Sequence, residues 1–125
     1  MKIEVSNGEI IDKLTILSLK LMHIKDESKL DNIKKEHNLL KDVASEIGIE
    51  EENPLYIKLL EVNQKLWDIE DKIRDCERDK DFSEKFIELA RSVYFTNDER
   101  SVIKREINEA TGSELTEEKS YKEYK

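Results

Sequence analysis

Apolar side chains recur through the middle of the chain at alternating steps of four and three residues. The members of this stripe are Leu55, Leu59, Val62, Leu66, Ile69, Ile73 and Cys76. An α-helix has 3.6 residues per turn, so this spacing places all of them along one narrow side of a helix. Because such a stripe must be covered by another apolar surface, the pattern predicts a long helix that packs against a second helix as in a coiled coil.

The composition favours an all-α fold. Charged residues make up 42% of the 125 residues and apolar residues 37%, with three glycines and one proline, which is typical of long solvated helices. A chain of this length buries roughly two-thirds of the surface that its unfolded form exposes. We therefore predict a single helical domain over residues 1–125, built as an antiparallel bundle of four to five helices.

Charge and cysteine content restrict the expected partners and location. The net charge of −8 opposes attraction to phosphate backbones and anionic lipids, so we expect neither nucleic acid nor membrane as a partner. The single cysteine, Cys76, cannot form a disulfide within the chain. Residues 1–8 lack the features of a signal peptide, and no stretch reaches the roughly 20 apolar residues of a membrane span. We expect a cytoplasmic protein.

Local capping signals predict where the first helices begin and end. Ser6 followed by Glu9 matches a capping box, which predicts a helix that starts at the next residue. The apolar pattern slips at residues 26–29, where a short turn with Ser28 as the N-cap and a phase shift within one continuous helix are both consistent with the sequence. Gly48 is suited to end the second segment.

The helix that carries the apolar stripe has a clear start. Asn53 followed by Pro54 combines an N-cap with a proline at the first helical position, and it predicts a helix that runs to about Arg78. The acidic link before it is short, so we expect this helix to fold back on residues 30–47 as an antiparallel hairpin.

Two capping signals also occur near the C-terminus. Ser83 is placed to cap one helix, and Thr96 with Glu99 forms a second capping box that predicts a separate, short last helix. Gly112 should end that last helix. Residues 113–125 contain few apolar side chains, so they are expected to form an irregular tail.

The first helix is predicted to be apolar nearly all round, because Ile16 and Leu19 project opposite its main apolar side. It should therefore lie either in the centre of the bundle or between two subunits. The polar groups on that side, which would need partners if buried, are Glu9, Asp12, Lys13, Lys20 and His23. We take Ile16, Leu19 and His23 as candidate interface residues. A homo-oligomer is expected, with a dimer favoured, and another protein is a possible partner.

Cations near the C-terminus could bind an anion. Arg100 and Lys104 are four residues apart and share a helix face, and guanidinium and ammonium groups are suitable donors to a phosphate or a carboxylate. The candidate anion-binding residues are Lys13, Lys20, Arg100, Lys104 and Arg105. The alternative is that these cations pair with nearby acidic residues on a solvated surface, which is the more common use of such a pattern.

The sequence offers no convincing catalytic or metal-binding pattern. Two histidines, His23 and His37, 14 residues apart, are weak evidence for a metal site. The acidic runs at 50–52 and 70–71 invite comparison with helical nucleotide pyrophosphohydrolases, but they fall in a link and on a solvated face instead of forming facing pairs. We assign no catalytic, cofactor-binding or metal-binding residue, expect no cofactor, and lean towards a protein that is not an enzyme.

Three segments carry a resemblance to a known family. GEIIDKLTILSLK at residues 8–20, NDERSVIKREIN at 97–108 and EEKSY at 117–121 resemble a family of uncharacterised helical domains, a domain of unknown function, of bacteria and phages. The resemblance implies a complete domain but no activity. The function we expect is therefore a non-catalytic helical assembly or protein-interaction module, and the alternative is binding of a small anionic ligand or a minor enzymatic role.

Overall fold

A computed structural model describes residues 1–116 and 118 of the chain. Within them the protein forms four helices: α1 (Asn7–His23), α2 (Glu27–Ile47), α3 (Pro54–Arg78) and α4 (Glu84–Thr111). This part of the chain contains no strand, which confirms the all-α class. None of its helices is both long enough and apolar enough to cross a membrane.

Several helix ends lie where the capping signals predict. The Ser6 hydroxyl accepts a hydrogen bond from the Glu9 amide (3.2 Å) and starts α1. The Asn53 side chain accepts one from the Leu55 amide (2.9 Å) and starts α3. Gly48 ends α2 with a φ of 91°, in the left-handed region that glycine adopts without steric cost.

The break after α1 is a short turn, so the continuous-helix alternative is wrong. The N-cap of α2 is also a different residue from Ser28, which the sequence favours. Asp26 is the N-cap of α2, and its carboxylate accepts hydrogen bonds from the amides of Ser28 (3.0 Å) and Lys29 (3.4 Å). Ser28 lies inside the first turn and donates its hydroxyl to the same carboxylate. These hydrogen bonds lower the pKa of Asp26, because they stabilise its charged form.

The predicted break within the C-terminal region is absent, and α4 is one continuous helix through Thr96 to Thr111, with Gly112 as its C-cap. The capping box at Thr96 and Glu99 was therefore a wrong prediction. Thr96 is buried in the middle of the helix, with 1% of its surface exposed. Since burial against the other helices stabilises this stretch, its local capping preference does not set the helix boundary.

The helices pack around α1, which contacts each of the other three. The core is formed by Ile11, Leu14, Ala44, Ile49, Tyr56, Leu59, Ile103 and Ile107. Leu19 is buried within this single chain, so α1 takes the central position that was one of the two alternatives. The main partner of α3 is α4, whereas α2 lies mainly against α1. The expected hairpin of residues 30–47 with α3 is therefore corrected to a pairing of α3 with α4.

The chain after α4 is only partly described. Residues 113–116 and 118 belong to no helix, and the irregular tail over 113–125 stays a prediction. The rest of that tail, and with it most of the EEKSY segment, lies outside the described residues.

Candidate functional site

The first turns of α1 lie against the last turns of α4, and polar side chains line this contact. We call it the α1–α4 seam and define it by Gly8, Glu9, Asp12, Arg100, Lys104 and Asn108. Its residues on α4 include Arg100 and Lys104, two of the candidate anion-binding residues. The seam is therefore the first place to look for a functional site.

The helices approach each other most closely at Gly8. Its amide donates a hydrogen bond to Asn108 Oδ1 (2.6 Å). A Cβ atom at this position would lie 2.5 Å from the backbone oxygen of Lys104, which is too close for any side chain. Glycine is therefore needed here for the two backbones to come together.

A buried carboxylate lies at the centre of the seam. Asp12 is only 1% exposed, and Arg100 holds it through two hydrogen bonds, from Nε to Oδ1 (2.8 Å) and from Nη2 to Oδ2. Asn63 of α3 donates Nδ2 to the same Oδ1 (2.9 Å) and to the Thr15 hydroxyl (2.8 Å). Burial of a charge is costly unless it is paired and hydrogen-bonded, and Asp12 meets both conditions. This arrangement joins α1, α3 and α4.

The outer part of the seam contains a second ion pair. Lys104 Nζ lies 2.7 Å from Glu9 Oε2, and the Lys104 side chain is mostly buried while that of Glu9 is partly exposed. Together with the Arg100 pair, this shows that two of the predicted anion-binding cations contact carboxylates of α1.

The backbone amides of the first three residues of α1 already donate hydrogen bonds to oxygen atoms of the protein. The Asn7 amide donates to Ser113 Oγ (3.1 Å), the Gly8 amide to Asn108 and the Glu9 amide to Ser6. Such amides are what makes a helix N-terminus attractive to anions. Because protein oxygens already accept their hydrogen bonds, an anion would have to displace those oxygens.

The other predicted cations lie elsewhere. Lys13 forms an exposed ion pair with Glu36 of α2 (3.0 Å), and Arg105 forms one with Glu118 (3.0 Å). Lys20 lies two turns beyond Lys13 on α1 and is half-buried. The structure thus brings Arg100 and Lys104 together at the seam but directs Lys13 towards α2.

A second polar cluster links α1, α2 and α3. The Ser18 hydroxyl lies 3.0 Å from His37 Nε2 and 3.0 Å from the Tyr56 hydroxyl. Burial raises the pKa of Tyr56, the Ser18 hydrogen bond opposes this rise and the charge of Glu51 adds to it. A serine beside a histidine can act as nucleophile and base, but here the hydroxyl is held between two side chains in a partly buried contact.

The two histidines lie in separate places. His37 belongs to the Ser18 cluster, whereas His23 stacks on Trp67 with ring centroids 4.7 Å apart and contacts Gln64 Oε1 (3.2 Å). In the described part of the chain no three His, Cys, Asp or Glu side chains form a group that could hold a metal ion.

Of the candidate interface residues, only one is fully covered by the chain itself. Leu19 is 1% exposed, Ile16 is half-buried and His23 is exposed beside Trp67. An interface through Ile16 and His23 stays a prediction, but Leu19 has no free surface to contribute to it.

Sequence reasoning missed the residues that complete both clusters. Asp12 is a polar group that would need a partner, and Asn108 belongs to the dense polar set at 97–108, but nothing in the sequence predicts the partner of either. Asn63 and Tyr56 carry no signal beyond being polar or amphipathic residues within helical segments. Their roles depend on contacts between residues 38 to 100 positions apart, which no local pattern reports.

Comparisons with known proteins identify a family but no activity. Residues 1–124 match a group described as Family of unknown function (DUF6165). Since the match extends over nearly the whole chain, the protein belongs to this family, which confirms the expectation of an uncharacterised domain family. No curated protein and no solved structure matches the chain.

Proposed function

We propose that this protein is a non-catalytic helical assembly module and that two copies of it associate into a dimer. The observation that supports this most is the exposure of large apolar side chains on the surface of the protein. They include Ile3 and Val5, which precede α1, Phe82 in the turn between α3 and α4, and Ile87 near the start of α4. Apolar surface left in water favours association.

The polar clusters support a structural role for the interior. Asp12 and Glu9 hold Arg100 and Lys104 across the α1–α4 seam, and Ser18 is held by His37 and Tyr56. These contacts fix the positions of the helices, and they give the module a rigid body from which exposed apolar residues can contact a second copy.

Binding of a small anionic ligand has less support. Arg100 and Lys104 lie close together, which favours it, but the carboxylates of Asp12 and Glu9 contribute negative charge at the same place. A phosphate or carboxylate ligand would have to approach past these groups, and like charges oppose that approach.

The finer features of the fold and the location belong to the same proposal. Because the start of α1 meets the end of α4, we propose an antiparallel arrangement of the bundle. The buried thiol of Cys76 is compatible with a coiled-coil-like contact between α3 and α4 and with work in the reducing cytoplasm.

The test is the mass of the full-length protein in solution, measured by sedimentation equilibrium over a roughly hundredfold range of concentration. The net charge of −8 makes copies repel each other, so the buffer should contain about 0.15 M salt, which limits the range of that repulsion to about 8 Å. We expect the mass to rise from that of a monomer to that of a dimer. A monomer at every concentration would overturn the proposal.

A further inference from the structure

Residues 1–5, which precede the N-cap Ser6 of α1, are exposed and have an alternating pattern. Met1, Ile3 and Val5 are exposed apolar residues, with Ile3 at 78%, and Lys2 and Glu4 lie between them. When such a segment is extended, successive side chains point to opposite sides, so one side would be apolar and the other would carry one cation and one carboxylate. All five residues are exposed, and Val5, the one nearest the bundle in sequence, is 42% exposed.

The segment starts from a fixed point on the bundle. Ser6 is buried, has an extended backbone (φ −69°, ψ 155°) and caps α1. The amide of Asn7 donates to Ser113, just after α4, and that of Gly8 donates to Asn108 in the last turn of α4. Because the residues that follow it are fixed in this way, the segment loses less conformational freedom on binding than it would if they were also mobile.

The sequence of the segment is complementary to itself. When two copies pair as antiparallel strands about Ile3, Ile3 faces Ile3, Lys2 faces Glu4 and Met1 faces Val5. Directly opposed side chains in such a pair lie on the same face of the ladder. The pairing therefore forms two ion pairs on one face and gathers six apolar side chains on the other.

Other registers are unfavourable. Moving one strand by two residues keeps the apolar side together but places Lys2 opposite Lys2, or Glu4 opposite Glu4, and like charges directly opposite each other destabilise a ladder. Moving it by one residue places charged residues opposite apolar ones. The antiparallel register centred on Ile3 is the one that satisfies both charge and apolarity.

We propose that residues 1–5 form an antiparallel two-stranded ladder with the same residues of a second copy, so that two bundles are joined across a two-fold axis. This inference rests on the proposed assembly function and names its interface. A two-stranded ladder of this length is marginal by itself, so the dimer is weak and depends on concentration. The exposed residues near Phe82 have no comparable pattern that specifies a second copy.

Charge reversal tests the register. In Lys2→Glu the ladder would oppose two carboxylates on each side of the axis, and in Glu4→Lys it would oppose two cations. Each variant alone should dimerise about tenfold more weakly than the wild type in sedimentation equilibrium. An equimolar mixture of the two variants should recover the dimer, because each then provides the charge that the other lacks. The double variant carrying both reversals should also recover it.

A cysteine at the axis tests the pairing independently. Opposed residues of an antiparallel ladder have Cα atoms about 4.5–5.5 Å apart, a distance that a disulfide spans. Ile3→Cys should therefore form a covalent dimer under mild oxidation. The wild-type protein is the matched control, because its own Cys76 is buried and should not cross-link.

The outcomes separate this inference from the assembly function. If the wild type dimerises but Lys2→Glu and Glu4→Lys do so equally well, the ladder is wrong while the assembly function stands. The ladder is also wrong if the single variants lose the dimer and their mixture does not recover it. It is likewise wrong if the double variant Phe82→Ser, Ile87→Ser abolishes the dimer instead. If the wild type stays monomeric at every concentration, both proposals are overturned.

Discussion

The two consecutive helices α1 and α2 differ in how many of their residues are buried. Helix α1 has 17 residues and α2 has 21, yet only Ala44 of α2 is buried. The buried residues of α1 are Gly8, Ile11, Asp12, Leu14, Thr15, Leu17 and Leu19. Helix α1 contacts three other helices, whereas α2 lies mainly against α1. Burial is therefore set by a helix's place in the fold, and the longer amphipathic helix is the peripheral one.

The polar residues of the two helices differ in the same way. Asp12 of α1 is buried and accepts hydrogen bonds from Arg100 and Asn63. Glu36 of α2 pairs with Lys13, but both side chains are about half exposed or more. A carboxylate in the centre of a bundle must be matched by donors from several helices, while one at the edge is hydrated by water. Matched substitutions on α1 and α2 should therefore have unequal effects on stability.

The largest effect is expected for the apolar residues. Leu14→Ala on α1 removes a buried side chain and leaves a cavity, which should lower the free energy of unfolding by about 2–5 kcal/mol. The matched change on α2 is Leu39→Ala, at a position that is mostly exposed, and it should cost less than about 0.5 kcal/mol. Urea titration measures both values. Equal losses would mean that α2 is as central as α1.

Next in size is the loss of the buried carboxylate. Asp12→Ala removes the group that receives hydrogen bonds from Arg100 and Asn63, and breaking a buried ion pair costs about 3 kcal/mol. The control is Glu36→Ala, which removes the carboxylate of the exposed pair with Lys13 and should cost about 1 kcal/mol or less. If both variants unfold at the same urea concentration, the buried carboxylate contributes no more to stability than the exposed one.

The close approach at Gly8 gives an intermediate effect. Gly8→Ala places a Cβ atom 2.5 Å from the Lys104 backbone oxygen, so α1 and α4 must move apart, at a cost of about 2 kcal/mol. Gly48→Ala, at the end of α2, meets no atom within 4 Å, and its cost of about 1 kcal/mol arises from the positive φ alone. Thermal unfolding can rank the two. A harmless Gly8→Ala would show that the α1–α4 seam tolerates separation.

Local and distant contacts explain which features the sequence could predict. The signals at Ser6, Gly48, Asn53 and Gly112 act within a few residues, and each marks a helix end in the structure. The signal at Thr96 is of the same kind, yet packing of a continuous α4 overrides it. Local sequence therefore predicts these four helix ends, whereas at the start of α2 it favours Ser28 over the actual N-cap, Asp26.

The α1–α4 seam could be predicted only in part. The polar residues of α1 lie beside apolar ones, so the sequence predicts that they need partners once buried, and the burial of Asp12 confirms this. The sequence does not predict the partners themselves, because Arg100 lies 88 residues away and has acidic neighbours of its own on α4. The pairing of α3 with α4 instead of α2 has the same cause, since an apolar stripe requires a partner without specifying which helix provides it.

The smallest effect concerns Tyr56, which shares the Ser18 hydroxyl with His37 and so connects α3 to both α1 and α2. Burial raises the pKa of Tyr56 above its ordinary value of 10.0, since the charged phenolate would lose its hydration. A pKa that is higher in the folded than in the unfolded protein stabilises the fold fully below about pH 10, and this stabilisation is lost as the pH rises through the raised value.

We therefore expect the free energy of unfolding of Tyr56→Phe, measured against pH, to follow that of the wild type at a constant offset below about pH 10. Above that pH it should fall less steeply than the wild-type value. Tyr94→Phe makes the same chemical change at an exposed position of α4 and should keep the steeper fall, because Tyr56 is still present. Parallel curves for the wild type and Tyr56→Phe up to about pH 11 would mean that water hydrates the Tyr56 hydroxyl in the folded protein.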